Sequence, residues 1–207
     1  MGTFFTFMSD AGIVGWCIFG IGLAVTALLV DRGYALFVQF ALKGDDLYNK
    51  IQSLVSNRKT EEAVGICHDL KKKPLASAFR TILEKADRDD DSIFQAQDIA
   101  LAENIPQLTK RTHYLSMLAN VATLMGLLGT IHGLILSFAA VATADPSQKQ
   151  QLLAHGISVS MYTTALGLVV AIPAMVFYSL LISRQNHLVD EMTEKCGKLT
   201  ELLTSGH

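Results

Sequence analysis

The residues that bear on chemistry sit in two stretches without charge, and they are hydroxyls rather than acids. Gly126, Gly129, Thr130, Gly133 and Ser137 recur at helical spacing on one face of the stretch from Tyr114 to Ala144. Gly156, Ser160, Thr163, Thr164, Gly167, Ala171 and Ala174 do the same in the stretch from Gln150 to Ser183. Small faces let helix backbones approach closely in lipid, where packing rather than hydrophobicity drives association, so close packing accounts for Gly126, Gly129, Gly133 and Gly167. If the hairpin turns near Ser147, Thr130 and Thr164 are each seventeen residues from it and lie at similar depth. A hydroxyl both donates and accepts hydrogen bonds, so two at one level can line a polar path, with Ser160 and Thr163 as additional polar groups. The same hydroxyls can instead bond back to their own helices, and spacing leaves both readings open.

A proton path also needs a group that titrates. Intramembrane acids mark such relays because a charge at the bilayer centre costs about 2.5 to 3.5 kcal/mol or more. Neither stretch holds one. Asp31 stands beside Arg32 at the end of the first apolar stretch, where an ion pair and snorkelling are expected. His132 is the one titratable residue deep in a span and is read either as a relay member or as a neutral hydrogen-bonded side chain. Pro173 frees a carbonyl and is expected to bend its helix. If protons move here, a partner supplies the acid.

Three helices must position these residues. Half of the 207 residues are hydrophobic, more than a soluble domain of this size buries. Ala11 to Val30, Tyr114 to Ala144 and Gln150 to Ser183 are each long enough for a bilayer core of about 30 Å, which takes roughly 20 helical residues. Twelve of the seventeen Lys and Arg fall between Lys43 and Arg111, and Arg184, Lys195 and Lys198 follow the third stretch. The positive excess marks cytoplasmic flanks, which places the N-terminus and the turn near Pro146 outside and the C-terminus inside. The expected organisation is a periplasmic N-terminus with the first span over 1–42, a cytoplasmic helical domain over 43–113, the second span over 114–144, a periplasmic turn over 145–149, the third span over 150–183 and a cytoplasmic C-terminal helix over 184–207. The fold class is all-α: three transmembrane helices with long cytoplasmic extensions and a small helical cytoplasmic domain.

Within 43–113 the pattern predicts helices throughout. Thr60 caps one whose last turn holds Lys71 to Lys73, and Pro74 stops it. A second runs from Pro74 to about Arg88, and Asp89 to Ser92 break the chain and cap a third. There Phe94, Leu101, Ile105, Leu108 and Leu115 form an apolar stripe leading straight into the second span. A net charge of −2, with no basic run beyond Lys71 to Lys73, leaves no footprint for nucleic acid. Cys17, Cys67 and Cys196 are scattered, with neither zinc spacing nor a disulfide framework. No soluble-enzyme motif, metal site or cofactor is expected, the coupling ion being the proton.

The runs Ala119 to Gly133, containing Gly-Leu-Leu-Gly-Thr, and Gly156 to Ala174, containing Thr-Ala-Leu-Gly-Leu-Val-Val-Ala-Ile-Pro-Ala, resemble the MotA/TolQ/ExbB proton channel family, in its TolQ/ExbB branch. The resemblance implies a bacterial inner-membrane protein forming a homopentamer around the single membrane helices of an ExbD/TolR-like partner, whose membrane aspartate takes and releases protons. It places Thr130 and Thr164 at pore-facing threonine positions. It implies a motor subunit that transmits force to an envelope, transport or gliding machinery, surrounded by membrane lipid. Three departures stand out: Val159 replaces a common glutamate, Thr123 replaces a frequent proline, and His132 occupies a variable position. The loss of the glutamate supports a second expectation, a non-conducting structural ring or anchor of an envelope complex.

Overall fold

The structure is a computed structural model and describes residues 12–40, 44–70 and 73–205. Its elements are α1 (Gly12–Tyr34), a π-helical turn (Ala35–Gln39), α2 (Gly44–Ser56), α3 (Thr60–Asp69), α4 (Pro74–Leu83), α5 (Asp90–Thr109), α6 (Thr112–Thr143) and α7 (Lys149–Thr204). No strand occurs among the described residues. Three helical runs are long and apolar enough to cross a membrane, and they contain α1, α6 and α7. In lipid every backbone amide must be satisfied within the protein, which a continuous helix achieves. The helix α7 continues through Pro173.

The chain divides into two compact units, one with the described residues up to Asp31 and Arg111–Ser179, the other with Arg32–Lys110 and the chain from Leu180. The first holds α6 and the apolar part of α7 as an antiparallel pair along a seam of small residues. A Cβ on Gly126 would meet the Thr163 carbonyl oxygen and the Thr164 Cα at 3.2 Å, and one on Gly129 would reach Thr163 Oγ1 at 2.5 Å. A Cβ on Gly133 would reach Ser160 Oγ at 2.5 Å, and Gly156 has no room for one against Ser137. Gly167 is the most constrained by backbone, since its Cβ would sit 2.7 Å from the Ala122 carbonyl oxygen. At the far end Asp31 pairs with Arg111 at 3.7 Å.

The second unit is a helical domain around Leu36, Ile51, Phe79, Ile82, Ile93, Met192 and Leu199, all buried. Arg32, itself buried, donates to the Lys110 carbonyl at 2.8 Å, satisfying a group left open where α5 ends. Lys195 pairs with Asp45, which holds the Asp45 carboxyl below and the Lys195 ammonium above its ordinary range. Glu191 accepts the Gly44 amide at 3.0 Å, and so two acids tie α2 to α7.

Several helix limits differ from expectation. Lys59, whose side chain donates to Glu62 and caps no helix amide, precedes α3, and Thr60 is its first residue rather than its cap. Helix α3 ends at Asp69, before the lysines; Lys71 and Lys72, like Ala11, lie outside the described residues. Pro74 opens α4, its missing amide costing nothing in a first turn, and α4 closes at Leu83 instead of Arg88. Asp89 does precede α5, but Ser92 Oγ donates to its carboxylate at 2.7 Å and holds that acid low, in place of a bond to the helix amides. The buried face of α5 is Ile93, Ala96, Ala100, Asn104 and Leu108, with Phe94 52% exposed, so the apolar stripe keeps Leu108 but is shifted by one residue at Phe94, Leu101 and Ile105. It does not run straight into the span, because Arg111 adopts φ 65 and interrupts the helix.

Two outcomes follow from this packing. Replacing Gly167 with Ala forces two backbones apart and should lower thermal stability in detergent by about 1–3 kcal/mol, whereas Gly20→Ala, with nothing within 4 Å, should not. The thiols of Cys67 and Cys196 are pushed up to about 12 by burial, and so should resist a maleimide at neutral pH until the protein is denatured, as peptide mass spectrometry would show.

Candidate functional site

The seam holds the two predicted threonines by different means. Thr164 Oγ1 donates across the helix pair to the Gly126 carbonyl at 3.3 Å, whereas Thr130 Oγ1 donates to the Leu127 carbonyl of its own helix at 2.6 Å. They do not bond to each other. Both spend their protons on backbone carbonyls, which leaves the hydroxyl oxygens as acceptors.

Ser160 and Thr163 lie deeper. They are 3% and 2% exposed and donate to the Gly156 and Ser160 carbonyls, each at 2.8 Å. Ser137 is likewise buried and donates to the Gly133 carbonyl at 2.7 Å. Their side chains fill the space that the facing glycines leave, which is packing within one protomer.

Helix phase separates the remaining candidates. With the seam direction as zero, Thr130 on α6 and Thr164 on α7 are each offset by about 40° in the same sense. Because the helices run antiparallel, equal offsets put both on one flank. Val170 is offset by about 80° in the other sense, and it is there that α1 packs, a Cβ on Gly22 reaching Val170 Cγ2 at 3.2 Å. Val25, Thr26, Pro173 and Ala174 line a groove at that contact. The threonine flank is therefore opposite α1 and left uncovered by it. His132 follows Thr130 by two residues, about 200° around the helix, and is exposed away from the threonine flank, which separates it from any path that Thr130 lines.

Ser116 and Asn120 share this flank with Thr123, which the sequence marked only as standing in place of a frequent proline; none of the three was read as a site residue. Thr123 precedes Thr130 by seven residues, two turns of one helix line, and its hydroxyl donates to the Ala119 carbonyl at 3.2 Å. Seven-residue spacing of hydroxyls at 116, 123, 130 and 137 was the signal available in the sequence.

Comparison with known proteins fits this geometry. The description MotA/TolQ/ExbB proton channel family belongs to a family model that matches residues 69–194. The chain is 29% identical over 165 residues to the biopolymer transport protein exbB1 of Vibrio cholerae, covering 79% of this chain and 72% of that protein. It is 29% identical over 189 residues to the putative biopolymer transport protein ExbB-like 3 of Synechocystis, covering 88% of each. The Tol-Pal system protein TolQ of Haemophilus influenzae is 31% identical over 109 residues, 53% of this chain and 47% of that one. With its matched segment running from α3 far into α7 and including both threonine-bearing helices, this membrane chain belongs to the MotA/TolQ/ExbB proton channel family.

Proposed function

We propose that the chain is the ring-forming subunit of a proton-driven motor in the bacterial inner membrane, conducting protons past Thr130 and Thr164 with a single-span ExbD/TolR-like partner. The observation that supports this reading is the flank opposite α1, left uncovered by it, which carries Thr130 and Thr164 with their protons spent on backbone carbonyls and their oxygens left as acceptors. The spans hold no carboxylate, so the titrating acid belongs to a membrane helix lying against that flank. Several copies, five by the family resemblance, bring their threonine flanks together around it. Arg111, Asp31 and the second unit lie on the cytoplasmic side, the N-terminus and the α6–α7 turn on the periplasmic side. A charge moved inward through such a path gains about 2.3 kcal/mol per 100 mV, which the ring passes to an envelope or transport component.

A hydroxyl has a part in conduction that an isosteric methyl lacks. Thr130→Val and Thr164→Val should assemble with the partner at wild-type yield and lose proton flux in reconstituted vesicles by about tenfold or more, with Thr→Ser retaining most of it. Full flux in either valine variant refutes the path.

Val159 favours a second reading, a structural ring that positions an envelope complex without conducting. It predicts vesicles that hold a pH gradient with the partner present, and Thr→Ser weakening assembly more than Thr→Ala. Purification from the native membrane should bring along a single-span protein with a membrane aspartate; its absence counts against both rings built around a partner.

A further inference from the structure

The threonine flank of α6 is polar on one side of Thr130 and apolar on the other. Ser116, Asn120 and Thr123 are offset from the seam by about 80°, 120° and 60°, in the same sense as Thr130. Leu134, Phe138 and Val141 each follow one of them by eighteen residues, five whole turns, and so occupy the same three lines along the helix. The chain thus places Ser, Asn and Thr where the other half has Leu, Phe and Val. Along the axis Thr123, Asn120 and Ser116 lie about 10, 15 and 21 Å from Thr130 toward the Arg111 end.

Asn120 is the telling residue. It is exposed on a membrane-spanning helix, and its amide makes no hydrogen bond to any of the described residues. Leaving two N–H groups and a carbonyl unpaired in hydrocarbon costs several kcal/mol, so the side chain requires water or a polar neighbour. Thr123, one turn on, is exposed too and offers its oxygen to the same space. Phe138 is 61% exposed and suits a dry, lipid-like or packed surface at the corresponding place in the other half.

We propose that Ser116, Asn120 and Thr123 form a hydrated exit leg that takes protons from the Thr130–Thr164 level to the Arg111 side; this rests on the conducting reading above. The O–H bond of the partner's carboxylic acid breaks, a water at the Thr130–Thr164 level takes the proton as hydronium, and the charge passes along waters held by Thr123 and Asn120 to bulk solvent. The carboxylate that remains returns to be reprotonated from the other side. Asn120 and Thr123 bind and align water on this leg and exchange no proton themselves. The apolar Leu134, Phe138 and Val141 keep the two aqueous sides from joining.

The test uses the full chain with its co-purified partner in proteoliposomes. On a Cys17→Ser background, Asn120→Cys and Phe138→Cys are compared for reaction with a membrane-impermeant methanethiosulfonate supplied on the Arg111 side. The cysteine at position 120 should react about tenfold faster or more than the one at 138. Asn120→Leu should lower proton flux about tenfold and Asn120→Gln restore most of it, with complex yield unchanged. Equal labelling at the two positions, or wild-type flux in Asn120→Leu, overturns the exit leg. Thr130→Val measured alongside separates the two readings: if it blocks flux and Asn120→Leu does not, only the exit leg fails, whereas full flux in Thr130→Val removes the conducting path itself.

Discussion

Close approach of two helix backbones in lipid is the constraint from which the membrane part of this protein follows. Hydrocarbon gives apolar side chains no reason to prefer each other over lipid, so helices hold together through contacts made at short range. Glycines at 126, 129, 133, 156 and 167 make that range available, and Ser137, Ser160 and Thr163 fill it with hydroxyls already bonded to backbone carbonyls. The seam fixes which residues face inward. By the same act it fixes which hydroxyls are left on the flank.

This division of labour among the hydroxyls gives the flank its chemistry. A hydroxyl whose proton is held by a carbonyl presents lone pairs, suited to a donor such as a protonated carboxyl or an ordered water. Thr164 spans the helix pair to Gly126 and so ties the polar group to the integrity of the seam, while Thr130 bonds within its own helix and keeps its position if the pair relaxes. On the proposed function, the absence of any acid from the spans leaves the charged step to another chain. That arrangement spares this subunit the cost of holding a carboxylate in lipid.

The second unit shows a different economy. Its helices are short, and its contacts mix a buried aliphatic core with ties by charge: Lys195 to Asp45, Glu191 to the Gly44 amide and Arg32 to the Lys110 carbonyl. Arg32 and Arg111 are each used where a helix ends, one on a carbonyl left open by α5 and one in the left-handed conformation that separates α5 from α6. Polar side chains thus set where helices stop, as apolar ones set where they pack.

The all-α class and the three spans were legible in composition alone, because a run of twenty or more uncharged apolar residues has few alternatives to a membrane helix. The small faces were legible as well, since side-chain period in a helix is fixed by geometry. Partners were not. Asp31 reaches Arg111, far along the chain, the stripe drawn through Phe94 is carried in α5 by Ile93, and a left-handed Arg111 separates α5 from α6. Sequence grouped Ser160 and Thr163 with Thr164, but only the approach of α6 sends the first two into the seam and leaves the third bridging to Gly126. The position of α1 against Val170, which singles out the opposite flank as open, is written in no motif, for it depends on how three helices meet.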